Sequence, residues 1–462
     1  MLLLIGLSTL ADATAGPSST TSARAQTVRP NIVFIVTDDM RYDQLWAMPV
    51  VNSEIAGHGV TFDRAFIPNP WCCPSRASIL TGTYSHTNTV YRNAPPYGGY
   101  ASFNPTSTVA TWLQAAGYRT GLVGKYLNGY VSGQPPGWDT WAAFSGGEAN
   151  EGGAYYDYDF VEDGVLTHYG TDPSDYSTDV LAAKADAFVR DTPADQPLFL
   201  YFTPFAPHGD AIPADRHKTA FSKLQFTRPP SFNEADVSDK PAYIRTKPLL
   251  TSSQITAIDT GRRKMLRTLL AVDEAVQRIL TALSDTGRLG TTLILFASDN
   301  GLLRGEHRYS KKIVPYEESI HVPLVIRYDP LTAVQSVNHR MVLNIDWAPT
   351  VAQLAGVAAP GAEGSSIVPL LSGVTNPTWR VDFPLEHMKG GASDIVPSYC
   401  GVRTTQYKYV AYNTKEEELY DLTSDPYEIQ NLAKKTAYAT VKSDLRARAK
   451  VLCKPVPPGF SW

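Results

Sequence analysis

No run of about 18 apolar residues occurs in this chain, so nothing in it reads as a membrane span. Charge of one sign is not in excess. Lys and Arg number 41 against 45 Asp and Glu, a formal net charge of −4, and that leaves no electrostatic case for nucleic acid as a partner. No internal repeat is visible, which argues against a repeat array. No His/Cys cluster has zinc-site spacing. Cysteine is scarce: Cys72, Cys73, Cys400 and Cys453 are all there is. No Asn-x-Ser/Thr acceptor occurs with x other than proline, which favours a bacterial exported protein over a glycosylated one. What remains is ordinary globular composition, 43% apolar and 19% charged. At 462 residues, the chain is long enough for a large core and a second unit.

Met1 to Leu10 is short and apolar, as an export segment requires. Ala13-Thr14-Ala15 or Ala23-Arg24-Ala25 would suit cleavage, although the first basic residue is Arg24. Residues 1–25 are therefore read as a signal segment outside the fold, and the protein as secreted or periplasmic. Residues 28–374 are read as the main domain. Asn31 to Thr37, Leu198 to Thr203, Thr292 to Ala297 and Val322 to Tyr328 are short apolar runs that read as buried strands. Helical stretches fall between them at about 107–116, 178–191 and 253–285. That alternation predicts an α/β fold with a mostly parallel sheet flanked by helices. Residues 141–177 read as a hairpin or loop near the site mouth. Residues 209–250 read as a long surface excursion, functional or merely structural. From 375 to 462 the pattern changes to short antiparallel strands at 407–412 and 418–422 and a helix at 436–451, a small C-terminal α+β domain.

In parallel sheets functional residues gather beyond the carboxyl ends of strands. Asp38-Asp39 and Asp299-Asn300 stand there. These are four oxygen donors, suited to a hard divalent cation such as Ca²⁺, with Mg²⁺ the alternative. The remaining signal is Cys72-Cys73-Pro74-Ser75-Arg76 followed by Leu80-Thr81-Gly82. As residues alone, the two cysteines also suit a vicinal disulfide or a pair of buried thiols.

From Cys72, this stretch reads Cys-x-Pro-Ser-Arg-x-x-x-Leu-Thr-Gly. It resembles the signature of type I sulfatases, a family with an alkaline-phosphatase-like fold. Further matching wording is Asp299-Asn300-Gly301, Ala206-Pro207-His208, Lys312 before Tyr316-Glu317, Gly305-Glu306-His307, Asp346-Trp347-Ala348-Pro349-Thr350 and Glu418-Leu419-Tyr420-Asp421-Leu422. The resemblance spans roughly residues 29–435. It implies that Cys72, rather than Cys73, is oxidised to formylglycine by a formylglycine-generating enzyme. The hydrated aldehyde then attacks a sulfate ester and forms a covalent sulfo-enzyme. It also implies that Asp38, Asp39, Asp299, Asn300 and residue 72 hold the cation. Lys125, His208 and Lys312 would face the sulfate, and Arg76 would orient the nucleophile. His307 would border the site. Cys400 and Cys453 are left as a disulfide pair.

Many sulfatases carry Gly-Lys-Trp-His near Lys125, whereas this chain has Leu127 in place of the histidine and Asn128 next to it. Gly-Lys-Tyr-Leu-Asn-Gly-Tyr resembles the N-acetylglucosamine-6-sulfatase and heparan endosulfatase branch. A sugar or glycosaminoglycan sulfate is accordingly the implied substrate, and a small aryl sulfate the runner-up. Phosphate or phosphonate ester hydrolysis on the same fold is a second class. A non-catalytic sugar binder is a third, disfavoured because a binder has no need of a modification signal. Arg216, Lys218, Arg245 and Lys247 are candidates for a basic patch on which an anionic polymer would lie.

Overall fold

All seven residues of the strand Asn31–Thr37 are buried, as expected of a β-branched run with helices on both faces. The computed structural model describes residues 29–146, 154–332, 335–373, 378–391 and 394–462; the expected signal segment, residues 1–25, lies outside them. Asn31–Thr37 is at the centre of a 10-stranded sheet. Thr292–Ser298, Asn31–Thr37, Leu198–Thr203, Arg119–Gly124 and Thr140–Ser145 run parallel in that order. Leu324–Arg327 pairs antiparallel on one side. The hairpin Tyr158–Glu162 and Val165–Tyr169 closes the other edge.

Alternation along the central strand feeds two cores. Ile32, Phe34 and Val36 pack with Cys73, Ala77 and Leu80 of the helix Cys72–Thr81. Val33 and Ile35 face Leu269 and Val272 of the long helix Ser252–Asp285, with Leu181 and Phe188 of Ser177–Arg190. Truncating a residue such as Phe34 costs about 3–5 kcal/mol in a core of this kind.

The C-terminal unit is a four-stranded antiparallel sheet made of Asp382–His387, Tyr399–Thr404, Tyr407–Tyr412 and Glu417–Asp421. The helix Ala439–Leu452 covers it. Cys400 and Cys453 meet in the core between them, both buried. The structure holds them as free thiols rather than the expected disulfide. The Cys453 Sγ instead lies against the carbonyls of Leu385, at 3.6 Å, and Gly401, at 3.8 Å.

Candidate active site

Strand register sets the site. Thr37 pairs with Ser298 at the ends of adjacent parallel strands, so Asp38-Asp39 and Asp299-Asn300 emerge side by side at the carboxyl edge. Asp39 has a φ of +67°, a left-handed turn that costs a non-glycine residue on the order of 1 kcal/mol. The Asp39 N–H donates to Asp299 Oδ1 at 3.2 Å and the Met40 N–H to Ser298 Oγ at 2.9 Å, which fixes the turn. Asn300 Nδ2 donates to Asp39 Oδ1 at 2.6 Å. Its own Oδ1 is buried without a hydrogen-bond partner.

Cys72 opens the buried helix Cys72–Thr81. At its start one N–H left without a helical partner is taken up by a neighbour, and the first helical bond closes on Trp71. Cys73 N–H donates to Asn93 Oδ1 at 3.0 Å, and Ser75 N–H to the Trp71 carbonyl at 2.9 Å. At the other end Gly82 takes φ +70° and closes the helix. The Cys-x-Pro-Ser-Arg…Leu-Thr-Gly wording is thus one whole helix with its stop signal.

Lys125 follows Gly124, whose φ is +126° and whose added Cβ would stand 2.1 Å from the Thr203 carbonyl oxygen. Only glycine lets the two strands end this close. Lys125 Nζ, fully buried, then reaches Asp38 Oδ2 at 2.6 Å. Lys312 Nζ pairs with Asp39 Oδ1 and stands 2.7 Å from Cys72 Sγ. Arg76 Nε donates to Asp299 Oδ2 at 2.8 Å and Nη1 to the Lys125 carbonyl at 2.9 Å. Cys72 Sγ is 3.5 Å from Asp38 Oδ1, and His208 Nε2 is 3.6 Å from Asp39 Oδ2.

Burial acts against every charge here, and the neighbours decide the outcome. Burial raises the Asp38 carboxyl, but Lys125, His208 and Arg76 outweigh it and hold Asp38 well below the usual range. Asp299 is pushed up to about 6 by burial and by Asp38. Burial and Asp38 push the Cys72 thiol well above its ordinary value. A neutral thiol is a weak nucleophile, so cysteine itself is poorly suited to attack in this position.

Ligand atoms of Asp38, Asp39, Cys72 and His208 all lie within 4.8 Å of one another, a group able to hold a metal ion. The orphaned Asn300 oxygen beside Asp39 adds an acceptor of the same hard kind. Asp299 is taken up by Arg76 and the Asp39 N–H.

Other expected residues fall elsewhere. Leu127 packs in the core. Asn128 is buried behind Cys73, its carbonyl accepting from Tyr100 N–H at 2.7 Å. His307 is buried with Nδ1 2.6 Å from Glu234 Oε2 and its ring stacked on Tyr316, so it anchors the chain at Glu234 rather than bordering the site. Of the basic-patch candidates, Arg216, Lys218 and Arg245 are paired with surface acids.

A cavity of about 1260 Å³ opens above the cluster. Among the described residues its walls carry Arg92, Lys247, Arg304, Arg308, Lys311 and Lys312 against two acids, Asp210 and Asp394. Most of these were missed in the sequence, although four of the cations fall between residues 304 and 312. Residues 30–357 match the sulfatase family.

The chain belongs to that family. Residues 305–454 also match the family described as N-sulphoglucosamine sulphohydrolase, C-terminal. This sulfatase is 30% identical over 493 residues to an N-acetylglucosamine-6-O-sulfatase of Bacteroides thetaiotaomicron, covering 91% of this chain and 86% of that one. It is 32% identical over 502 residues to an arylsulfatase of Volvox carteri, covering 94% and 76%. A solved structure described as a complex with its substrate D-glucosamine-2-N,6-O-disulfate superposes with a TM-score of 0.82 at 29% identity, covering 92% of this chain and 98% of that one. The protein is a sulfuric ester hydrolase with the alkaline-phosphatase-like sulfatase fold. Among the described residues, no helix is long and apolar enough to cross a membrane.

Proposed function

We propose that this sulfatase is exported and removes sulfate from a sugar or glycosaminoglycan, as an N-acetylglucosamine-6-sulfatase does. One observation carries the reading. Lys312 touches Cys72 and Asp39 on one side and lines a wide, cation-rich cavity on the other. A cleft of one sign with low-dielectric walls concentrates anionic substrates, and this volume exceeds what a small aryl ester needs. The names of the B. thetaiotaomicron relative and of the solved complex support the same choice.

Residue 72 is read as formylglycine in the mature enzyme. Hydrated, that group supplies one hydroxyl to attack sulfur and a second that loses its proton as sulfate departs and the aldehyde re-forms. Asp38, Asp39, Asp299, Asn300 and residue 72 would hold Ca²⁺, or Mg²⁺ in its place, and the cation would supply Lewis-acid charge at the sulfate. Lys125 and Lys312 stand where they offset negative charge developing on the sulfate oxygens. In this reading His208, 3.6 Å from Asp39, protonates the leaving alkoxide. Arg76 holds Asp299 and the Lys125 carbonyl, and so orients the end of the helix that carries residue 72.

Mass spectrometry of the peptide covering residues 71–76 tests the nucleophile. Conversion to the aldehyde lowers its mass by about 18 Da, by atom count for CH₂–SH becoming CHO. An unmodified thiol in active native enzyme would overturn the mechanism. Sulfate release from N-acetylglucosamine 6-sulfate, an aryl sulfate and the matching phosphate monoesters tests the substrate class. Release from the aryl sulfate alone would favour the arylsulfatase reading, which the Volvox relative supports. A phosphate preference would sink both.

A further inference from the structure

Among the described residues, Lys247, Lys311 and Arg304 are cavity cations with no carboxylate at ion-pair distance, and Arg304 turns its Nη2 to Met265 Sδ at 3.3 Å, which leaves the two lysines. Arg308 is consumed by the carbonyls of Glu234, Lys247 and Ala235, at 2.8 Å each. Arg92 is turned back onto the carbonyls of Ala94 and Pro95. Lys312 is committed to Asp39 and Cys72. Neither Lys247 nor Lys311 has a carboxylate within ion-pair distance among the described residues. Their backbones are nonetheless fixed. Lys311 accepts from Leu303 N–H at 3.0 Å, Lys247 is pinned by Arg308, and the Lys247 ammonium lies 5.0 Å over the Tyr309 ring. Burial and the neighbouring Lys311 together lower the Lys247 pKa. Both lysines line the one cavity, Lys311 two residues along from the ring on which Lys247 rests, and like charges so disposed repel until an anion is held between them.

We infer that Lys247 and Lys311 form a second anion subsite, which takes a sulfate or carboxylate of the substrate other than the one cleaved. The inference rests on the sugar-sulfatase reading and narrows it to polyanionic saccharides. Lys311 adjoins Lys312, and consecutive Cα atoms are about 3.8 Å apart. The second anion therefore belongs to the saccharide that occupies this cavity, on the sugar bearing the scissile ester or further along the chain. The two lysines set specificity and do not touch the reacting atoms.

Calorimetric titration in Ca²⁺ of the Cys72→Ala protein, which cannot turn over, gives a direct test. N-acetylglucosamine 6-sulfate, glucosamine 2-N,6-O-disulfate and a uronate-linked 6-sulfated glucosamine are compared with and without Lys247→Gln and Lys311→Gln. The double substitution is expected to weaken at least one of the two dianionic ligands about tenfold and the monosulfate less than twofold. Which dianion loses more tells sulfate from carboxylate. Equal losses for all three ligands, or none, would overturn the subsite. Sulfate release by the unsubstituted enzyme is measured separately. A dianion that binds through the lysines but releases no sulfate would refute the sugar-sulfatase reading and leave the subsite standing. Failure of every sugar to bind would refute both.

Discussion

At the seam between the two sheets, Glu418 accepts from Tyr316 at 2.7 Å, from Tyr420 at 2.6 Å and from Tyr412. Beside it Lys408 bridges Glu317 at 2.8 Å and Glu428 at 2.7 Å, while Arg403 takes the other Glu317 oxygen at 3.1 Å. No buried polar atom of these five charged residues lacks a hydrogen-bond partner. The cluster at Asp38, Asp39, Asp299, Lys125, Lys312 and Arg76 is as deeply buried and as rich in charge. Yet Asn300 Oδ1 and Arg76 Nη2 are left without hydrogen bonds there, and burial together with the nearby Asp38 holds Asp299 high. Buried polar groups are nearly always satisfied. A network closed on itself joins two parts of a fold, whereas one that leaves acceptors and crowded carboxylates is built around something it receives.

That contrast can be broken, and the largest effect belongs to residue 72. Cys72→Ala is expected to abolish turnover, by about 10⁴-fold or more, with an unchanged thermal melt; retained turnover would remove Cys72 as the nucleophile. Chelation comes next. Stripping divalent cations is expected to lower activity by about 10³-fold and to lower Tm, and added Ca²⁺ should restore both. Activity indifferent to chelator would mean that the open cluster receives no metal. At the seam, Lys408→Met leaves Glu317 and Glu428 facing each other, and should cost about 3–5 kcal/mol in a denaturant titration. Turnover per folded molecule should survive it; a matching fall in kcat would show that the two clusters are coupled. Leu127→His buries a polar ring in a hydrophobic core at a cost of about 2 kcal/mol and should add nothing to kcat, since the side chain at 127 is packed in that core. Arg216→Ala, which removes an exposed pair with Asp179 and Glu274, should change stability by about 0.5 kcal/mol or less and leave kcat/KM unaltered.

Much of the scaffold was legible because burial on both faces writes itself as an unbroken apolar run. Asn31–Thr37 and Leu198–Thr203 match their expected ranges residue for residue. The helix Ser252–Asp285 begins one residue earlier than expected. The strand Arg119–Gly124 was missed, and its glycines explain why. Gly121 receives the Phe188 ring, 2.6 Å from where a Cβ would be, and Gly124 receives the Thr203 backbone. A tight tertiary contact there demanded glycine, which in a sequence reads as a turn. Val322 to Tyr328 was expected as one strand. It divides into His321–Val322, paired with Ala65–Phe66, and Leu324–Arg327, paired with the main sheet. The cation cluster could be read from motif wording because its residues follow strand ends. The cavity above it could not. Its walls come from segments as distant as Arg92, Lys247, Arg304 and Asp394, and only the fold decides which surface lysines have lost their partners. Residues 209–250, open between functional loop and structural wrap, supply Lys247 and Leu250 to that wall.

Cys72 has no exposed surface, and the whole helix behind it is buried. A maturing enzyme would not reach that sulfur in the native state, so the oxidation proposed for it would have to precede closure of the large sheet. Competence would then be decided at synthesis. Folded protein made without the modifying partner should remain inactive however long that partner is later supplied, until the chain is unfolded in its presence.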